Sequence, residues 1–257
     1  GGATSSGYSG EAAAVRSLGD IAAEEQPRLS SQSTELDRVL GGGMVHGSAI
    51  LIGGSPGAGK STLLLQVLCR VAEYESALYV TGEESLAQIA MRARRLGLPH
   101  DKVQVMAETN VQRIVATWSE LRPRLCVIDS IQTMQSDVVE SVPGSVGQVR
   151  ESAAALIRQA KADGTVLVMV GHVTKEGNLA GPRVLEHMID TFIMFDGESD
   201  NRFRTLRSSK NRFGAVNEVG IFAMTERGLA EVANPSAIFL SRAPEVSPGS
   251  VVMVIWE

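Results

Sequence analysis

Apolar residues recur along this chain in short unbroken runs, separated by stretches whose apolar positions repeat every three to four residues. That alternation is the signature of buried strands joined by amphipathic helices. Ala49-Ile50-Leu51-Ile52 is the first strong run, and Thr62-Leu63-Leu64-Leu65-Gln66-Val67-Leu68 follows with helical spacing. Further strands are expected at 77–81, 103–106, 125–129, 165–170 and 191–195, with helices near 85–96, 110–121 and 146–162 between them. Strands alternating with helices in this order build an α/β fold, a mainly parallel sheet covered on both faces. Ahead of the first run, 33–43 reads as a short capped helix ended by glycine. Behind the last, 203–208 and 216–224 flank a turn containing Asn211 and Gly214, an antiparallel hairpin at the sheet edge.

Three regions follow from this pattern. Residues 1–26 are rich in Gly, Ala, Ser and Glu without periodicity, a linker or a segment that docks elsewhere. Residues 27–242 form one α/β domain, and 243–257 open a new apolar pattern that reads as the first strand of a further domain. Composition then narrows the class. Hydrophobic content of 44% and charged content of 21% are those of a globular protein in water, and no apolar stretch approaches the roughly 18 residues of a membrane span. With no basic start, no apolar signal core and no paired cysteine spacing, a cytoplasmic protein is expected, with Cys69 and Cys126 as reduced core residues. A net charge of −5 argues against coating nucleic acid by bulk charge, yet leaves room for a local basic track.

The chemistry begins at residues 54–61, Gly54-Ser55-Pro56-Gly57-Ala58-Gly59-Lys60-Ser61, which fit the G-x-x-x-x-G-K-[ST] phosphate loop in its strand, loop, helix context. Gly54, Gly57 and Gly59 let the backbone turn its N–H groups around a phosphate, and Thr62 continues into the first helical turn. Lys60 can reach the terminal phosphates and Ser61 can hold magnesium, so a nucleoside triphosphate with Mg2+ is the expected ligand. Asp129 ends an apolar strand about 65 residues on and is the expected second magnesium ligand. Glu83 and Glu84 follow another strand at the same edge; one should orient the attacking water, with Glu83 preferred, although both acids also suit the start of the next helix. His172 stands where a γ-phosphate sensor or a structural hydrogen-bonding residue would stand.

Basic residues gather in the segment 202–213, with Arg202, Arg204, Arg207, Lys210 and Arg212 and no acid. This is either a solvated face or a hairpin tip from which Lys210 and Arg212 reach a neighbouring subunit's phosphate site. Two long polar stretches, 131–145 and 174–183, are candidate channel loops that would grip a backbone through Lys175, Arg183 and main-chain N–H groups.

Lys210-Asn211-Arg212-Phe213-Gly214, Gly171-His172-Val173-Thr174-Lys175-Glu176-Gly177 and Gly181-Pro182-Arg183-Val184-Leu185-Glu186-His187 are not generic ATPase patterns. Over residues 36–242 the chain resembles the RecA-like ATPase core of the bacterial RadA (Sms) family, whose KNRFG signature is 210–214. The resemblance implies a RecA-type fold and hexameric rings like those of DnaB helicases. It also implies ATP-driven movement on single-stranded or branched DNA, and recombination, branch migration and repair alongside the RecA recombinase at the nucleoid. It further implies that Lys210 and Arg212 complete the neighbour's ATP site, that the long loops face DNA, and that Arg92 stacks on adenine. Members normally begin with a four-cysteine zinc motif and end in a Lon-protease-like domain. This chain has no Cys before Cys69, so no zinc is expected, and 246–254 would be only the opening of the latter domain. A nucleotide-gated protein switch of the KaiC type, indifferent to DNA, is the competing reading. A small-molecule kinase is disfavoured, because no Arg-rich lid is evident.

Overall fold

The computed structural model describes residues 12–22, 26–173, 181–197 and 201–232. A two-stranded antiparallel pair, β1 (Arg28–Leu29) and β2 (Met44–Val45), brackets α1 (Thr34–Leu40). The predicted cap is present: the Ser33 side chain accepts from Leu36 N–H, and Gly41 ends the helix at φ 93°. Then follow β3 (Ala49–Gly54), α2 (Lys60–Val71), β4 (Ala77–Thr81), α3 (Leu86–Arg95), β5 (Gln104–Ala107) and α4 (Val111–Leu121). The second half contains β6 (Leu125–Asp129), α5 (Val146–Asp163), β7 (Val166–His172), β8 (Thr191–Asp196), β9 (Phe203–Asn211), β10 (Val219–Thr225) and β11 (Gly228–Glu231).

All strands after β2 form one nine-stranded sheet in the order β11-β10-β9-β8-β3-β7-β6-β4-β5. From β8 to β5 the pairings are parallel, whereas β9, β10 and β11 add antiparallel ladders beside β8. The mainly parallel sheet expected from the alternation is therefore present. The expected antiparallel hairpin is β9 with β10, and β11 extends it to a three-stranded meander by pairing with β10.

Successive side chains of a strand face opposite ways, and this divides the core in two. Ile50, Ile52, Tyr79, Val127, Val168 and Val170 pack under α1, α2 and α3 with Leu64 and Leu68. Leu51, Leu78, Val80, Cys126, Ile128 and Met169 pack under α4 and α5 with Trp118 and Leu156. Both cysteines are buried and free, and burial pushes the Cys69 thiol up to about 11. The Cys126 thiol is raised further by the same cause. Among the described residues no helix is long and apolar enough to cross a membrane.

Of the two expected channel loops, 131–145 is only partly a loop. Its start is a 3-10 turn, Ile131–Thr133, and Ile131, Met134 and Ser136 are buried against the sheet. Most of 174–183, Lys175 included, lies outside the described residues, as do 243–257 and much of 1–26.

Candidate functional site

The parallel strands present their C-terminal ends along one edge, and the phosphate loop leaves β3 there. Gly54 has φ 145°, and a Cβ at that position would collide with the Phe195 carbonyl. Glycine is thus required by the close approach of β8. Gly57 and Gly59 adopt φ 79° and 102°, and α2 begins at once with Lys60. Ser55, Pro56 and Gly57 form the accessible crown of the loop, while Ala58 and Lys60 are buried. A left-handed glycine leading into a helix start turns successive N–H groups into one concavity, an anion nest. Lys60 Nζ lies within the loop, donating to Gly54 O and Ser55 O at 2.9 Å each. Burial holds the Lys60 ammonium below its ordinary range, partly offset by Asp129, Asp196 and Glu83.

Asp129, at the end of β6, is 3% exposed and faces Ser61. Its Oδ2 accepts from Ser61 Oγ and from the Tyr79 hydroxyl, both at 2.6 Å, while Oδ1 is buried without a partner. An orphaned carboxylate oxygen beside a serine hydroxyl fits a magnesium ion, which takes few protein oxygens and keeps several waters. Burial, and then Asp129, push the Tyr79 hydroxyl above its usual range, so it stays a donor.

Glu83 and His172 complete the edge. Glu83 Oε1 accepts from Ser130 Oγ at 2.9 Å and lies 3.3 Å from His172 Nε2. These contacts, the histidine first, hold the Glu83 carboxyl below its ordinary range against the opposing effect of burial. Gln132 fixes His172 from behind: its Nε2 donates to His172 O at 2.9 Å and its Oε1 accepts from His172 N at 3.2 Å. One ligand atom from each of Glu83, Asp129 and His172 lies within 4.8 Å of the others.

Other expected residues fall elsewhere. Arg92 Nη1 donates to both Glu84 oxygens at 2.9 Å, and the Arg92 side chain is 16% exposed. The guanidinium expected to lie against adenine is thus paired with Glu84, and both lie near enough to Tyr79, the Asp129 partner, to act on it electrostatically. Lys210 lies at the end of β9 and Arg212 in the turn that leads to β10, where Lys210 Nζ donates to Glu186 O at 2.7 Å and Arg212 Nη1 to Asp190 Oδ1 at 2.6 Å. Asp190 is 2% exposed and also accepts from Ala49 N at 2.8 Å. Because Asn211 pairs with Thr191 at the start of β8, this cluster sits on the sheet edge opposite the phosphate loop. Arg183 is exposed on the 3-10 turn Pro182–Leu185.

The basic segment 202–213 is also not one face. Arg204, Leu206 and Ser208 are buried while Arg207 is exposed, the period of two that a strand imposes. Arg204, Tyr79, Ser130, Gln132 and Asp190 were not singled out as site residues from sequence, since their contacts come from tertiary packing. The one available signal was Arg204 standing in register with Leu206 and Ser208.

Comparison with known proteins matches residues 20–178 to the family described as an AAA domain. DNA repair protein RadA of Pseudomonas aeruginosa is 62% identical over 251 residues, 98% of this chain and 55% of that protein. DNA repair protein RadA of Escherichia coli is 64% identical over 254 residues, with the same shares, and that of Bacillus subtilis 50% identical over 238 residues, 92% and 52%. The chain spans about half the length of the curated relatives it matches. In fold it is similar to the crystal structure of the RadB recombinase, with a TM-score of 0.61 at 20% identity, covering 79% of this chain and 99% of that one.

Proposed function

The chain belongs to the RadA family of bacterial DNA repair proteins, through an AAA domain with a RecA-like recombinase fold, and on that premise we propose that it is an ATP-hydrolysing motor acting on DNA in recombination and repair. One observation carries this reading: Lys60, Ser61, Asp129, Glu83 and His172 converge on a single sheet edge beside an anion nest. The triphosphate lies in the nest of residues 54–62, where Lys60 leaves the Gly54 and Ser55 carbonyls for the β- and γ-phosphates. Ser61 and Asp129 would hold Mg2+, which would supply charge neutralisation on the phosphate oxygens. Glu83, kept ionised by His172 and Ser130, orients a water and takes its proton as the water oxygen bonds to the γ-phosphorus and the bond to the β–γ bridging oxygen breaks, releasing ADP and inorganic phosphate. His172 couples that carboxylate to the Gln132 turn, a position suited to sensing the γ-phosphate.

Lys210 and Arg212 act on the neighbour's nucleotide in a hexameric ring. Their place on the opposite edge from their own phosphate loop supports action in trans. Arg183 and Lys175 contact single-stranded or branched DNA, and the RecA recombinase is the partner. The test is the ATPase rate per chain against protein concentration, with and without single-stranded DNA. Both additions are expected to raise it. A rate independent of concentration would remove the shared site, and a concentration-dependent but DNA-indifferent rate would favour a nucleotide-gated protein switch.

A further inference from the structure

We infer that Arg204, a buried cation of β9, is a positioning residue for the phosphate loop: by fixing the Ala58 carbonyl it aims the Gly59 amide at the nucleotide. This inference rests on the phosphate-loop reading above. Arg204 is 5% exposed, and its Nε donates to Ala58 O at 2.8 Å. Its Nη1 donates to Asn201 O and, at 3.0 Å, to Phe203 O. Ala58 lies between the two left-handed glycines of the loop, and its own N–H is turned back on Ser55 O at 3.3 Å.

The peptide joining Ala58 to Gly59 is a rigid trans plane, so its C=O and N–H point in opposite directions. Holding the carbonyl toward β9 therefore directs the Gly59 N–H away from the sheet, toward the concavity that receives a phosphate. The guanidinium is always ionised, and a hydrogen bond from a charged donor is about twice as strong as a neutral one. Such a bond also polarises the peptide and makes the Gly59 N–H a better donor, an effect strengthened by burial. The packing around Arg204 favours this single arrangement. A Cβ at Gly197 would collide with the Arg204 stem, and one at Gly59 would lie 2.8 Å from Met224 Cε. Strands β9 and β10, which lie outside the parallel core, thus form the back wall of the loop.

The experiment is titration of fluorescent ADP and measurement of ATPase kinetics on the whole chain, with Arg204→Gln, Arg204→Lys and Lys60→Ala in parallel. Arg204→Gln is expected to weaken ADP about tenfold and raise KM to match, with kcat within about twofold, since binding common to ground and transition states is what is lost. Arg204→Lys keeps the charge and should recover part of the affinity. Adenosine, which has no phosphate, should compete equally in all variants, a result that general loosening of the fold would not produce. Normal ADP affinity in Arg204→Gln beside a loss in Lys60→Ala overturns the inference, as does an equal loss of ADP and adenosine. Normal affinity in Lys60→Ala overturns the phosphate-loop reading instead. Should Arg204→Gln not fold, Arg204→Lys and Gly197→Ala, which displaces the stem without removing the charge, are read against the same two outcomes.

Discussion

Glu83 owes its ionisation to two neighbours more than to its own position. His172 and Ser130 both stabilise its charged form, and burial alone would push its carboxyl the other way. As the proposed base, Glu83 would work only when ionised, and a depressed value would keep it working into acid. Replacing His172 by alanine removes the largest stabilising contact, so the value rises toward the ordinary carboxylate range. The acid limb of the kcat/KM profile should then move to higher pH, while ADP affinity changes little; a pH–rate series on His172→Ala checks the direction. At this scale the sequence was partly legible. Asp129 and Glu83 could be named because a carboxylate just past an apolar strand must emerge at the sheet edge. Their partners Tyr79 and Ser130, and Gln132 behind His172, could not, because each reaches the site across a strand-to-strand or turn contact that leaves no periodic trace. Lys210 and Arg212 were recognised through their motif, but their intrachain partners Glu186 and Asp190 were not.

At the scale of elements, the phosphate loop depends on its glycines for different reasons. Gly54 has the β8 backbone where a side chain would go, whereas Gly57 has open space. Gly54→Ala should therefore cost stability by overpacking, about 1–3 kcal/mol, and abolish nucleotide binding as the loop is displaced. Gly57→Ala carries only the left-handed backbone penalty, roughly 1–2 kcal/mol, and should remain folded. Thermal melts with and without ADP separate the two. Strands buried on both faces were legible as continuous apolar runs, and the helix starts lie at Ser33 and Ser85, which both cap, the first as expected. β5 was displaced by one residue from its expected bounds, since it is a largely exposed edge strand with a weak pattern. β11, Gly228-Leu229-Ala230-Glu231, has little intrinsic strand character and forms because β10 offers a free ladder and Gln66 receives it: Gln66 Oε1 accepts from Leu229 N at 2.8 Å. β9 runs on past 208 to Asn211 because β8 continues beside it.

For the whole molecule, the parallel sheet separates two chemistries. The phosphate loop, Asp129 and Glu83 occupy one edge and the Lys210–Arg212 cluster the other, roughly 15–20 Å apart at about 3.3 Å per strand residue. On the proposed reading, each working site needs one chain's loop and another chain's basic pair. Mixing Lys60→Ala with Arg212→Ala protein, each inactive alone, should restore turnover at up to about a quarter of wild-type interfaces, the share that random assembly makes complete. An ATPase assay on the mixture reads this directly, and no recovery would speak for action within one chain. The layered architecture was legible from alternation alone, while this division between edges depended on register: Thr191 opposite Asn211 fixes where the basic pair lies.

The same register has a consequence for economy of fuel. A solitary copy keeps Arg212 moored to its own Asp190, with a full sheet's height between that side chain and its own loop. On the proposed reading it would hold nucleotide and yet stay idle, and consumption would begin only where copies have gathered.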